Sequence, residues 1–259
     1  MRVTVLGCGA SGGVPLLGCG CAVCASDEPR NRRRRSSVLI EAGAVRLLLD
    51  ASPDLRAQLL DAGVARLDAV LFSHAHADHC HGIDDLRLVC RAMDAALAVY
   101  GTPDTLDELR SRFGYAFDLS CHAAGWFKPA LEARVIDGPF EIGGLRVVPF
   151  EQRHGPKFTT LGFRVDAFAY STDVSDLDEP AFDALAGIDT WVVDCQSRAP
   201  NYVHSHVEHT LGWIERVRPR RAVLTHMGHE LDYGTLAAEL PPGVEPGYDG
   251  LVLDVGGDT

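Results

Sequence analysis

The run Ser73-His74-Ala75-His76-Ala77-Asp78-His79 places three imidazoles and a carboxylate within six residues. Side chains of these types bind divalent cations, and each must be desolvated and deprotonated to do so. The run follows Ala69-Val70-Leu71-Phe72, an apolar stretch that reads as a buried strand. A strand ending in a knot of ligand-type residues points to a metal site; the bland alternative is a solvated His-rich turn. A second cluster, Gly18-Cys19-Gly20-Cys21-Ala22-Val23-Cys24, brings three thiols within six residues. In a reducing compartment that spacing suggests a closed, structural zinc, which needs a fourth ligand. Thr225-His226-Met227-Gly228-His229 offers one. His226 is expected at the first cluster and His229 at the thiolates. Cys8, Cys80, Cys90, Cys121 and Cys195 lack such spacing and read as buried, small apolar residues.

These groups must be carried by strands and helices, and the pattern supplies both. Strands are expected at Val3 to Cys8, Ser37 to Glu41, Val45 to Asp50, up to Phe72, at Leu97 to Tyr100, Arg134-Val135 and Leu145 to Phe150. Others are expected at Leu161 to Val165, Ala167 to Tyr170, Thr190 to Asp194, Ala222 to Thr225 and Leu251 to Val255. Helices are expected from Ser52-Pro53, where Ser can cap and Pro suits the first turn, and over Gly82 to Asp94, Leu106 to Phe117 and Val207 to Val217. Several strands end in a ligand-type residue. His154 follows the strand to Phe150, Asp173 follows Tyr170, and His226 follows Thr225. Asp50 and Asp194 end two more, as sites in α/β architectures commonly do.

Composition narrows the classes. The chain has 259 residues, 46% of them hydrophobic, and a formal net charge of -12. That charge disfavours nucleic acid as a partner, because phosphate backbones want a basic face. The N-terminal stretch lacks the apolar core of a signal peptide, and no run is long enough to span a membrane, so a cytoplasmic location is expected. The exception to the acidic character is Arg30-Asn31-Arg32-Arg33-Arg34-Arg35. It is either a solvated face or, since arginine matches phosphate oxygens in a bidentate way, a phosphate reader.

His74-Ala75-His76-Ala77-Asp78-His79, with His154, Asp173 and His226 downstream, resembles the signature of the metallo-β-lactamase fold superfamily. The resemblance covers almost the whole chain. It implies one domain over residues 1–259, an α/β four-layer αββα sandwich of two mixed sheets, with a Cys-rich zinc loop at about 18–25. It further implies two divalent ions, zinc or manganese. His74, His76 and His154 would hold one, Asp78, His79 and His226 the other, and Asp173 would bridge them. Two such ions about 3.5–4 Å apart can share a hydroxide and stabilise attacking and leaving oxygens. Asp50 is a candidate acceptor for a ligand imidazole. His81 is a weaker ligand candidate.

The opening Leu6-Gly7-Cys8-Gly9-Ala10-Ser11-Gly12-Gly13-Val14-Pro15 and the Cys cluster are similar to the phosphoribosyl cyclic phosphate phosphodiesterases of phosphonate catabolism. That likeness implies hydrolysis of a small cyclic sugar phosphate or nucleotide-like phosphodiester, a structural zinc at Cys19, Cys21, Cys24 and His229, and a homodimer. It also implies a histidine general acid in Tyr202-Val203-His204-Ser205-His206-Val207. His206 at the helix start is the first choice, His204 the second and His209 the third. The segment Asp50-Ala51-Ser52-Pro53-Asp54-Leu55-Arg56 resembles instead the pyrroloquinoline quinone biosynthesis B protein. The scaffold therefore leaves open an acyl hydrolase of the β-lactamase or thioesterase type, or a cofactor carrier.

Overall fold

Alternation along the central strands decides the layering. The computed structural model describes residues 1–117 and 131–256. One seven-stranded sheet contains β1 (Arg2–Gly7), β2 (Ser37–Ala42), β3 (Val45–Leu49), β4 (Ala69–Leu71), β5 (Leu97–Gly101) and β6 (Leu131–Val135), with β14 (Leu251–Asp254) at the edge beside β1. The other contains β7 (Phe140–Ile142), β8 (Leu145–His154), β9 (Phe158–Val165), β10 (Phe168–Ser171), β11 (Thr190–Asp194), β12 (Arg221–Thr225) and β13 (Val244–Pro246). In β2 to β4, Val38, Ile40, Leu47, Leu49, Ala69 and Leu71 face the inter-sheet core, where they meet Phe163, Tyr170 and Trp191. Their neighbours Leu39, Leu48, Val70 and Phe72 point outward into a second core. Strands with both faces apolar belong in the middle of a layered fold.

Each sheet is half antiparallel and half parallel. Strands β3 to β6 pair in parallel, as do β10 to β13. Parallel neighbours require crossovers, and helices supply them. The helices are α1 (Leu55–Asp61), α2 (Ala77–Cys80), α3 (Ile83–Met93), α4 (Pro103–Phe117), α5 (Glu179–Leu185), α6 (Val207–Val217) and α7 (Tyr233–Glu239). Ile83, Leu86, Val89 and Cys90 are the buried face of α3, as its spacing predicts. The result is the expected sandwich of two mixed sheets with helices outside.

Three differences bear on the site. Strand β8 does not stop at Phe150 but runs to His154, which pairs with Phe158. The His-rich run is not a loop throughout: residues 77–80 form the short helix α2. The helix expected from Ser52 begins at Leu55, because the Ser52 hydroxyl turns back to accept from Asp54 N at 3.1 Å and to donate to Gln58 at 2.9 Å. Among the described residues, no helix is long and apolar enough to cross a membrane.

Candidate active site

The carboxyl ends of the parallel strands converge. Asp50 follows β3, Ser73 to His79 follow β4, Asp173 follows β10, Asp194 ends β11 and His226 follows β12. Three of these residues, Asp50, Asp173 and His226, hold left-handed backbone at φ of 61°, 53° and 54°. Such conformations cost non-glycine residues free energy and cluster at functional sites. Here they turn each side chain sharply off its strand.

The His-rich run enters two groups of candidate ligand atoms, His74, His76, His154 with Asp173, and Asp78, His79, His226 with Asp173. Within each group the atoms lie within 4.8 Å of one another. Asp173 belongs to both. Its Oδ1 lies 4.0 Å from His74 Nε2 and 3.6 Å from His154 Nε2, while its Oδ2 lies 2.8 Å from His79 Nε2 and 3.3 Å from His226 Nε2. Asp78 Oδ2 is 3.2 Å from His79 Nε2 and 3.4 Å from His226 Nε2. Most of these side chains are buried; His76 and Asp78 are partly open.

A ring of partners orients the imidazoles. His79 Nδ1 donates to Asp50 Oδ2 at 2.8 Å, and His154 Nδ1 donates to the Val203 carbonyl at 2.8 Å. Asp50 also accepts from Ser73 N and Ser73 Oγ, both at 2.8 Å. Outer partners of this kind fix which ring nitrogen faces the cluster. Asp50 thus occupies the place expected of it.

The charge balance bears on whether cations fit. Burial alone would raise the Asp173 carboxyl, but the facing His226 and His79 hold it well below the usual carboxylate range. Burial works against charge on His79 and His226 too, yet Asp173 and the neighbouring carboxylates raise both rings. The buried carboxylates therefore demand positive charge nearby. Buried His74 Nε2 nonetheless has no hydrogen-bond partner. An unpartnered buried ring nitrogen beside a shared carboxylate is the donor arrangement a metal ligand offers. Divalent cations fit this donor set, and their binding would displace the protons.

His204 joins the cluster. Its Nδ1 lies 3.2 Å from Asp194 Oδ2 and 3.8 Å from Asp173 Oδ1, and its ring stacks on His226 at 4.7 Å. His206, the first choice from sequence, is instead the half-buried residue preceding α6, with its ring 5.6 Å from His209. His209 in turn packs 4.3 Å from Trp213. The local reason is that Asn201 Oδ1 accepts from both Val203 N and His204 N at 2.8 Å, a tight turn that tucks His204 inward. His81 faces Phe113 rather than the cluster.

Asp194 was visible in sequence only as a strand end. Its fully buried Oδ2 accepts from Asp173 N at 2.9 Å and sits between His204 and His226 Nδ1, 3.7 Å away. The signal for it was its position, since an acid closing a buried strand beside ligand-bearing strands needs partners.

The thiol cluster also assembles. Cys19, Cys21, Cys24 and His229 bring their ligand atoms within 4.8 Å, and His229 Nδ1 is 3.5 Å from both Cys19 Sγ and Cys21 Sγ. The Cys24 N–H directed at Cys21 Sγ, followed by His229, lowers the Cys21 thiol to about 6. Three thiols and an imidazole make a closed set that suits tetrahedral zinc. Cys8, Cys80, Cys90 and Cys195 are buried, as expected. Cys121 lies outside the described residues.

The arginine run does not reach the cluster by any described contact. Arg33 is 2% exposed and donates to Asn31 Oδ1 and to the Gly228 and Leu231 carbonyls. It clamps the loop that carries His229. Arg34 pairs with Asp61, Arg35 with Asp54, and Arg32 reaches the Ser26 carbonyl. The run lines a groove of about 810 Å³ beside α1 that contains none of the His–Asp ligands.

Residues 45–227 match the beta-lactamase superfamily domain. The chain belongs to that superfamily. This superfamily domain has the metallo-β-lactamase fold and is of the metal-dependent hydrolase kind. A solved diphosphatase of the PhnP family superposes with a TM-score of 0.90 at 31% identity, covering 98% of this chain and 97% of that one. The octanoyltransferase of Porphyromonas gingivalis is 36% identical over 97% of this chain. The chain spans about half of that relative's length, 51%. The ribonuclease Z of Mycobacterium avium is 30% identical over 91% of this chain and 95% of its own length.

Proposed function

We propose that this superfamily domain hydrolyses a small phosphodiester, a cyclic sugar phosphate or a nucleotide-like ester, at a pair of divalent cations. His74, His76 and His154 would hold one cation and Asp78, His79 and His226 the other, with Asp173 between them. Zinc and manganese both suit these nitrogen and oxygen donors. Bound there, the cations would bring water's pKa toward neutrality and neutralise phosphoryl oxygens. A third cation, zinc, would occupy Cys19, Cys21, Cys24 and His229 as a structural pin. The observation that carries the reading is the shared carboxylate: Asp173 stands in both buried ligand groups.

The chain's own groups supply the rest. Asp50 orients His79, and the Val203 carbonyl orients His154. Asp194 holds His204 by Nδ1, leaving Nε2 as the atom from which a proton can pass to the leaving alkoxide. His204 replaces His206 as the proposed proton donor, because it is the histidine of that segment in contact with the cluster. The burial of the cluster limits access of bulk water to the reacting ester.

Turnover of bis(p-nitrophenyl) phosphate and 2′,3′-cyclic nucleotides by fully metallated protein tests the proposal. Activity abolished by chelation and restored by zinc or manganese is expected. No turnover of any phosphodiester would sink it. The kinship with an octanoyltransferase keeps one competing reading, an acyl hydrolase at the same ligands. Nitrocefin or thioester turnover without phosphodiester turnover would select it.

A further inference from the structure

Two exposed aromatic side chains belong to the segments that meet at His154. Phe158 is 58% exposed and Tyr202 is 92% exposed. Both flank the same candidate ligand. Phe158 pairs across the hairpin with His154, and its ring packs edge-on at 5.7 Å from the ring of half-buried His76. Tyr202 precedes Val203, whose carbonyl accepts from His154 Nδ1. The hairpin and the 202–203 loop press together. Gly155 has φ +69°, and a side chain there would come within 2.8 Å of Val203 Cγ1. The two rings thus sit on segments locked to each other and to His154, while the inner cluster offers only polar groups.

We propose that Phe158 and Tyr202 form a nucleobase platform, stacking the base of a nucleotide whose phosphate lies at the His–Asp cluster. This rests on the phosphodiesterase reading and narrows it: the preferred substrate carries an aromatic base and is not a bare cyclic sugar phosphate. A planar π-face is what an exposed Phe and Tyr recognise in common, and such stacking tolerates any base.

The test separates platform from hydrolysis. Metal-loaded protein is titrated calorimetrically with adenosine 5′-monophosphate and with ribose 5-phosphate, which share the phosphate and differ by the base. The nucleotide is expected to bind about 5- to 150-fold tighter, the range that base–aromatic stacking supplies. Phe158→Ala is expected to remove most of that preference and leave ribose 5-phosphate binding unchanged, whereas Phe158→Trp retains the preference. Phe158 is exposed, so truncation leaves the core intact. Equal affinities for the two ligands in the unsubstituted protein overturn the proposal, as does a preference that survives Phe158→Ala and Tyr202→Ala together. A Phe158-dependent preference with no phosphodiester turnover would instead remove the hydrolytic reading and leave the platform standing.

Discussion

The two ligand clusters are three residues apart along the chain at His226 and His229, yet they are built in opposite ways. The His–Asp cluster draws on six strand ends spread from Asp50 to His226, and His79, Asp173 and His226 are 0%, 2% and 1% exposed. The thiol cluster draws three of its four members from one turn, with Cys19, Cys21 and His229 half-buried. The first is preformed by the sheets, which absorb the cost of burying charge and of left-handed backbone at three positions. The second has little packing to hold it and would depend on its cation. Position explains the division of labour proposed for them: a preorganised, partly open site for chemistry, and a local closed site that pins a loop.

The comparison breaks most visibly at Asp78. Asp78→Ala should reduce phosphodiester turnover to background while the protein remains folded by circular dichroism. Residual turnover at a tenth of the original rate would mean that the buried cluster is not the reacting site. Next is His204. His204→Ala should slow substrates with alkoxide leaving groups by about 10²–10⁴-fold, the usual worth of a positioned acid, and should spare p-nitrophenolate esters. His206→Ala should affect both substrates little. The opposite ranking would return the proton-donor role to His206.

Asp50→Ala should weaken cation binding at the His–Asp cluster by about 10–100-fold, because His79 loses its orienting partner. Equilibrium dialysis with zinc measures this, and unchanged affinity would make Asp50 a simple strand-end cap. The thiol cluster should respond differently. Cys21→Ser should remove one zinc and keep turnover within about tenfold, a change worth roughly 1.4 kcal/mol.

The smallest effect is a titration. In metal-free protein the Cys21 thiol, lowered to about 6 by the Cys24 N–H and His229, should be the first alkylated by iodoacetamide. Thiolate grows as pH rises, so its rate should climb with a midpoint near pH 6 and level off above. Burial pushes the Cys80 and Cys90 thiols up to about 11, and both should stay silent at pH 7. Peptide mapping after alkylation reads all three.

The thiol cluster was legible because its spacing is local. The central strands were legible as well, since apolar runs such as Val45 to Leu49 have no other plausible place. The pairing of His154 and Asp173 with the His-rich run was not readable from spacing; only the family likeness joined them. Short elements escaped. Strands β7 and β13 have three residues each, too few for a period to show. Helix α5 carried a usable signal, Asp178 accepting from Ala181 N with Pro180 in the first turn. The choice between His204 and His206 turned on the Asn201 side chain, a tertiary detail that sequence pattern does not express.

The most direct test is a metal count per chain by native mass spectrometry, made on preparations assayed with bis(p-nitrophenyl) phosphate. The account predicts three cations in the unsubstituted chain. It predicts loss of one in Cys21→Ser with turnover kept, and loss from the His–Asp cluster with turnover gone in Asp78→Ala. A single cation in the unsubstituted chain, or turnover that vanishes with the thiol-bound zinc and survives Asp78→Ala, would contradict it.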